Sequence, residues 1–79
     1  MYDQVLSKII ERGAYIWGKE PSELSADTTF EEMNAKSGHY SQITTFLEDE
    51  FDAEVPYMGF KKCKTLGEAA SYVVDLLEE

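Results

Sequence analysis

The sequence predicts an all-α domain: a four-helix bundle with a long loop between helices 1 and 2 and a short third helix. Apolar residues recur at steps of three and four positions in three separate stretches, which is the spacing of one helix face. The alternation typical of strands is weak, and 79 residues suffice for one modest core. Residues 1–79 are therefore expected to form a single domain.

The first helix is predicted over about residues 2–16. Its apolar side carries Leu6, Ile9, Ile10, Gly13 and Trp17. Gly18 is suited to end this helix because glycine readily adopts the left-handed conformation found there. Pro21 then hinders a restart of the helix, since it lacks a backbone N–H.

Residues 18–36 form a connector that is long for such a small domain, so we expect contacts with the core to fix it. The apolar side chains expected to make those contacts are Leu24, Phe30 and Met33. The polar side chains expected to face water are Ser25, Asp27 and Thr28. The segment from Pro21 to Leu24 is predicted to form one short helical turn.

The second helix is predicted from about Ser37 to Phe51. Its apolar stripe consists of Tyr40, Ile43, Leu47 and Phe51, with Phe46 beside it. Ser37 is placed to cap this helix by accepting an N–H bond from the first turn. The start of a helix also has unpaired N–H groups and a positive potential, which suit a phosphate ester.

A short third helix of one or two turns is predicted after Val55 and Pro56, with Phe60 and Cys63 facing inward. The fourth helix is predicted to begin at Thr65, which forms a capping-box pattern with Glu68. The core face of the fourth helix is formed by Leu66, Ala69, Ala70, Val73 and Leu77.

Composition excludes several classes of function. The chain has no long apolar run and no basic, apolar leader, so we expect a cytoplasmic protein without a membrane span. Its single cysteine excludes an internal disulfide and a cysteine zinc site. The net charge of −9 makes nucleic acid a poor partner and basic protein surfaces good ones.

Charge is unevenly distributed along the chain. Carboxylates are concentrated between residues 48 and 54, at Glu48, Asp49, Glu50, Asp52 and Glu54. They lack the spacing of a calcium-binding loop, so no metal site is expected. A local positive cluster follows, consisting of Lys61, Lys62 and Lys64.

Several landmarks together resemble the acyl carrier proteins. They are Phe30, Met33-Asn34-Ala35-Lys36-Ser37-Gly38, Leu47-Glu48-Asp49-Glu50-Phe51, Val55-Pro56 and Thr65-Leu66-Gly67-Glu68-Ala69-Ala70. The resemblance implies a monomeric carrier rather than an enzyme, with 4'-phosphopantetheine attached to Ser37. The implied partners are a phosphopantetheinyl transferase, which uses coenzyme A, and the enzymes that load and transfer the acyl group.

The sequence departs from the family pattern beside this serine. Lys36 and Gly38 replace the usual Asp and Leu, and Tyr57 and Met58 fall where many members have acidic residues. We therefore expect a specialised carrier, in a fatty acid, lipopolysaccharide or secondary-metabolite pathway. The residues expected to contact partners are Lys36, Gly38, His39, Gln42, Glu48, Asp49, Tyr57 and Met58.

The resemblance also implies that the bundle can shelter an acyl chain between its helices. The residues expected to line that pocket are Ile43, Phe46, Leu47, Phe60 and Val73. His39 is two positions from Ser37, and residues so spaced do not face each other on a helix. A catalytic Ser–His pair is therefore not expected, and His39 is interpreted as an exposed polar residue. Cys63 is interpreted as a small buried hydrophobe.

Two other functions remain open at this point. An aminoacyl or peptidyl carrier shares the same arm but carries a different cargo. An unmodified acidic helical adaptor would only bind a partner protein.

The run of carboxylates at residues 48–54 predicts a dependence of stability on salt. Mutual repulsion of these charges destabilises the fold when screening is weak. Added NaCl or Mg²⁺ is expected to raise the melting temperature measured by circular dichroism. A melting temperature that does not change with ionic strength would contradict this expectation.

Overall fold

The computed structural model describes residues 1–78 and confirms the all-helical bundle. Its elements are α1 (Tyr2–Trp17), a short 3₁₀ helix (Pro21–Glu23), α2 (Ser37–Phe51), α3 (Tyr57–Lys61) and α4 (Leu66–Leu77). Helix α1 packs against both α2 and α4, and α3 packs against the same two helices. The molecule measures about 31 × 23 × 20 Å.

The core takes side chains from every α-helix and from the long loop. Its largest fully buried members are Phe30, Phe60, Ile9, Ile43, Leu47, Leu66, Val5 and Val73. The loop residue Phe30 packs its ring against Trp17, Tyr40 and Phe60, with centroid separations of 6.1, 5.0 and 5.8 Å. Phe30 therefore joins the end of α1 to α2 and α3, as its predicted role in fixing the loop requires.

The rest of the loop follows most of the sequence predictions. Leu24 is buried and Met33 is half-buried, and the predicted turn after residue 20 is the 3₁₀ helix. The prediction that Thr28 faces water was wrong, since its residue is 8% exposed. Thr28 Oγ1 accepts a hydrogen bond from the Ser25 N–H at 2.9 Å, which gives this buried hydroxyl oxygen a partner.

The loop also pairs its backbone with the start of α4. The Leu66 N–H donates to the Thr28 carbonyl at 2.9 Å, and the Phe30 N–H donates to the Lys64 carbonyl at 3.0 Å. The Gly67 N–H donates to the carbonyl of Ala26 at 2.9 Å. These bonds satisfy backbone groups around the buried residues of the loop and fix the loop against the connector between α3 and α4.

The ends of the helices agree with the predicted signals at two places. Helix α1 extends one residue further than expected, to Trp17, and Gly18 ends it in the left-handed conformation with a φ of 67°. Helix α4 is capped by Thr65, whose Oγ1 accepts a hydrogen bond from the Glu68 N–H at 3.0 Å. In return, Glu68 Oε1 accepts a bond from the Lys64 N–H at 2.9 Å.

The Thr65 cap generates a prediction about stability. Thr65→Ala removes the acceptor for the Glu68 N–H and is expected to destabilise the domain by about 1 kcal/mol. In a domain of this size, that loss lowers the melting temperature by roughly 4–8 °C. Thr45→Ala is the control, because Thr45 is an exposed helical residue whose side chain makes no hydrogen bond within residues 1–78. Equal melting temperatures for the two variants would contradict the capping role.

Candidate functional site

Ser37 is the first residue of α2, and its side chain is exposed. The residue that precedes the helix as its N-cap is Lys36, whose backbone is extended. The prediction that Ser37 itself caps the helix was therefore wrong. Within residues 1–78 the Ser37 hydroxyl makes no hydrogen bond, which leaves the oxygen accessible at the end of the helix.

His39, rather than Ser37, provides the side-chain acceptor at the start of α2, and its donor is the N–H of the N-cap residue Lys36 instead of an N–H of the first turn. Its Nδ1 accepts a hydrogen bond from the Lys36 N–H at 3.0 Å and another from Trp17 Nε1–H at 3.2 Å. The imidazole and indole rings meet edge to face, with centroids 6.1 Å apart. His39 is half-buried rather than exposed, so the earlier interpretation was wrong. Both bonds require an Nδ1 without hydrogen, which places the proton of the neutral ring on Nε2.

The approach to Ser37 is a tight turn. Asn34 adopts the left-handed conformation, with a φ of 54°, and its Oδ1 accepts a hydrogen bond from Lys36 Nζ at 3.1 Å. The Ala35 N–H donates to the Phe30 carbonyl at 3.0 Å, which ties this turn to the buried ring. The position of Ser37 is thus determined by Phe30 on one side and by His39 on the other.

The surface beside Ser37 is open. Gly38 is exposed, and a Cβ added there would meet no atom within 4 Å. A leucine at this position would therefore project into solvent or into a docked partner. The exposed ammonium of Lys36 lies on the same end of the helix. Together the two residues give the serine a cationic neighbour on one side and no apolar contact on the other.

The other predicted docking residues separate into two groups. Gln42, Asp49 and Met58 are exposed, Met58 to 64%, and can contact a partner directly. Glu48 and Tyr57 are half-buried. Glu48 Oε2 accepts a hydrogen bond from the Val55 N–H at 2.9 Å, so this carboxylate also fixes the turn between α2 and α3.

Most of the predicted acyl-pocket residues are part of the packed core. Four of them are 0% exposed: Ile43, Leu47, Phe60 and Val73. Phe46 differs, because it is half-buried and the Arg12 guanidinium lies 5.3 Å from its ring centroid. An acyl chain between the helices would therefore have to displace side chains that already fill that space.

Some carboxylates of residues 48–54 are paired within the fold, and others are exposed to solvent. Glu50 Oε1 lies 3.2 Å from Lys8 Nζ, and the hydrogen bond with this carboxylate raises the pKa of Lys8. Within residues 1–78, no group of three or more histidine, cysteine or acidic side chains is arranged to hold a metal ion. Within the same residues, no helix combines the length and apolar character that crossing a membrane requires.

The hydrogen bonds to His39 generate a second prediction. His39→Ala leaves the Lys36 and Trp17 N–H groups without their acceptor and is expected to destabilise the fold by about 1–3 kcal/mol. Because Trp17 is the only tryptophan, its fluorescence reports the loss of the contact directly. Gln42→Ala, an exposed change on the same helix, is the control. Unchanged emission and melting temperature in His39→Ala would contradict the proposed geometry.

Comparison with known proteins shows several relatives, although no family model matches the chain. An acyl carrier protein of Lactococcus lactis subsp. cremoris is 41% identical over 56 residues, which cover 71% of this chain and 74% of the relative. An acyl carrier protein of Streptococcus thermophilus is 30% identical over 73 residues, which cover 92% of this chain and 90% of the relative. One of Exiguobacterium sibiricum is 31% identical over 72 residues, which cover 90% of this chain and 91% of the relative. Such proteins are carriers rather than enzymes. The chain belongs to the acyl carrier protein family.

Proposed function

We propose that this protein carries an acyl thioester on a 4'-phosphopantetheine arm attached to Ser37. The observation that supports the proposal most directly is the exposed Ser37 hydroxyl at the start of α2, in the register of the family motif. The chemistry requires an accessible oxygen rather than an activated one, because the transferase supplies the base and the metal. Membership of a carrier family is consistent with this role.

The residues around Ser37 fit the phosphate of the arm. The first N–H groups of a helix have no intrahelical acceptor, and the helix dipole favours a negative charge at this end by about 0.3–1 kcal/mol. The Lys36 ammonium adds a second positive group beside the serine. When bound, the arm supplies the thiol on which the acyl group travels.

The attachment reaction is a phosphoryl transfer. The Ser37 oxygen attacks the pantetheine-bound phosphorus of coenzyme A, and adenosine 3',5'-bisphosphate leaves as the serine proton passes to the transferase. In this step the protein presents Ser37 and keeps it in position through Phe30 and His39. We place the reaction in the cytoplasm, where coenzyme A and the enzymes that use it are found.

The partners are a phosphopantetheinyl transferase and enzymes that load and remove the acyl group. Exposed residues of α2 and α3, including Gln42, Asp49 and Met58, are suited to transient contact with them. Because Lys36 and Gly38 alter the surface beside the serine, we propose a specialised pathway with its own enzymes rather than housekeeping fatty acid synthesis. The protein acts as a monomer that moves cargo between those enzymes.

Intact mass spectrometry tests the attachment. Incubation with coenzyme A and a panel of phosphopantetheinyl transferases is expected to add about 340 Da, the mass of the covalent arm. Ser37→Ala should abolish the addition. Ser41→Ala is the matched control, since Ser41 is an exposed serine one turn further along α2 and should leave the addition intact.

Two results would contradict the attachment to Ser37, and a third would change the class of the cargo. An unmodified mass with every transferase in the panel would favour an acidic adaptor that only binds partner proteins. A mass increase that persists in Ser37→Ala would place the arm elsewhere. If the arm attaches to Ser37 but is charged by an adenylating enzyme with an amino acid, the protein is an aminoacyl or peptidyl carrier instead.

A further inference from the structure

A groove of about 510 Å³ lies beside the end of the bundle that carries Ser37. One wall is formed by loop residues 29–31 and 34–35, and the other by residues 61–64, which end α3 and lead toward α4. We call it the lysine groove. It begins at Ala35, two residues before Ser37, and its volume is within the range of about 300–1,000 Å³ that small-molecule sites occupy.

The second wall of the lysine groove is cationic. Lys61, Lys62 and Lys64 line it, and Glu31 is the one acidic residue in the lining. Within residues 1–78 these three lysines form no ion pair, whereas Lys8 lies close to both Glu11 and Glu50. In a chain with a net charge of −9, many carboxylates were available to neutralise them. Lys61 Nζ lies 5.8 Å from the centroid of the Tyr57 ring, a contact that does not neutralise its charge. The three cations without an anionic partner therefore favour an anionic group that is not part of the folded chain.

The floor of the groove is less polar than its rim. The half-buried ring of Tyr40 lies there and packs against the fully buried ring of Phe30, with centroids 5.0 Å apart, and burial raises the pKa of the Tyr40 hydroxyl. Cys63 is half-buried in the same wall as the lysines, and burial raises the pKa of its thiol. The groove thus combines a surface for methylene groups with a rim for a negative charge.

We propose that the lysine groove binds the end of a short acyl group that terminates in a carboxylate, while that group is carried on Ser37. This inference rests on the proposed function and specifies the class of its cargo. The arm would start next to the groove, and tethering raises the effective concentration of the cargo to the millimolar range. Contacts with exposed lysines are weak between free partners. At that effective concentration they become sufficient to hold the end of the tethered acyl group in the groove.

An acyl group with a terminal carboxylate matches both the apolar floor and the cationic rim of the groove, whereas a neutral acyl chain matches only the floor. A neutral chain would contact the floor but would leave all three ammonium groups without an anionic partner. The core side chains Ile43 and Leu47 are fully buried, so the described structure offers that chain no ready space between them. An acyl group of about four carbons with a terminal carboxylate would place its methylenes over the half-buried Tyr40 and its charge at the lysines.

The test compares two cargoes of equal length. Arms ending in a succinyl or a butyryl group, joined by an amide so that they neither hydrolyse nor cyclise, are transferred from the matching coenzyme A analogues. These arms have no thiol, so Cys63 is the only thiol in each product. Its alkylation by iodoacetamide, followed by intact mass at about pH 8, reports access to the groove.

The succinyl arm is expected to slow alkylation of Cys63 several-fold relative to the butyryl arm. The variant Lys61→Gln/Lys62→Gln/Lys64→Gln should remove that difference, and Lys19→Gln, an exposed lysine outside the groove, should retain it. Backbone amide shifts of residues 61–64 in the unsubstituted protein provide a second readout that requires no variant. They should differ between the two cargoes and converge at high salt.

The possible failures are distinguishable. If intact mass shows that neither arm attaches to Ser37, the proposed function is overturned together with this inference. If both arms attach and alkylation and amide shifts are the same for succinyl and butyryl, the lysine groove does not select a carboxylate, and the inference alone is overturned. A difference that survives the triple lysine change would also overturn it.

Discussion

The packing of Phe30 is the contact on which the arrangement of the site depends. The loop between α1 and α2 has no long helix of its own, so burial of one aromatic ring against Trp17, Tyr40 and Phe60 substitutes for a helix–helix interface. Four residues later the chain makes a left-handed turn at Asn34, and α2 begins three residues after that. Ser37 can be both exposed and well positioned because the residue that anchors its approach is fully buried.

A second set of contacts orients the same helix from the other side. His39 accepts hydrogen bonds from the backbone of Lys36 and from the indole of Trp17, which connects the start of α2 with the end of α1. The His39 ring therefore fixes the first turn of α2 against α1, on a helix whose exposed side is proposed to contact partners. Because Ser37 does not cap the helix, its hydroxyl oxygen is available for modification.

Local signals in the sequence predicted most of the fold. Helical periodicity located α2 and α4, Gly18 and Thr65 marked helix ends, and the isolated Phe30 in a polar loop predicted its own burial. The role of His39 was missed because its partner Trp17 is 22 residues away, and periodicity carries no information about such pairs. One signal was present: His39 lies three residues after Lys36, where a capping box has an acceptor side chain. The burial of Thr28 likewise depends on pairing with the distant start of α4.

Backbone hydrogen bonds between the loop and the α3–α4 connector link the lysine groove to the segment that leads to Ser37. Phe30 N–H to the Lys64 carbonyl and Leu66 N–H to the Thr28 carbonyl join the two walls of the lysine groove. The loop wall continues from Ala35 through Lys36 to Ser37. A ligand that moved this wall would therefore also move the attachment point. By thermodynamic reciprocity, an enzyme that held the serine end in the altered orientation would change the affinity of the groove for its ligand by the same factor. Release of cargo and recognition by the next enzyme would then be two aspects of one equilibrium.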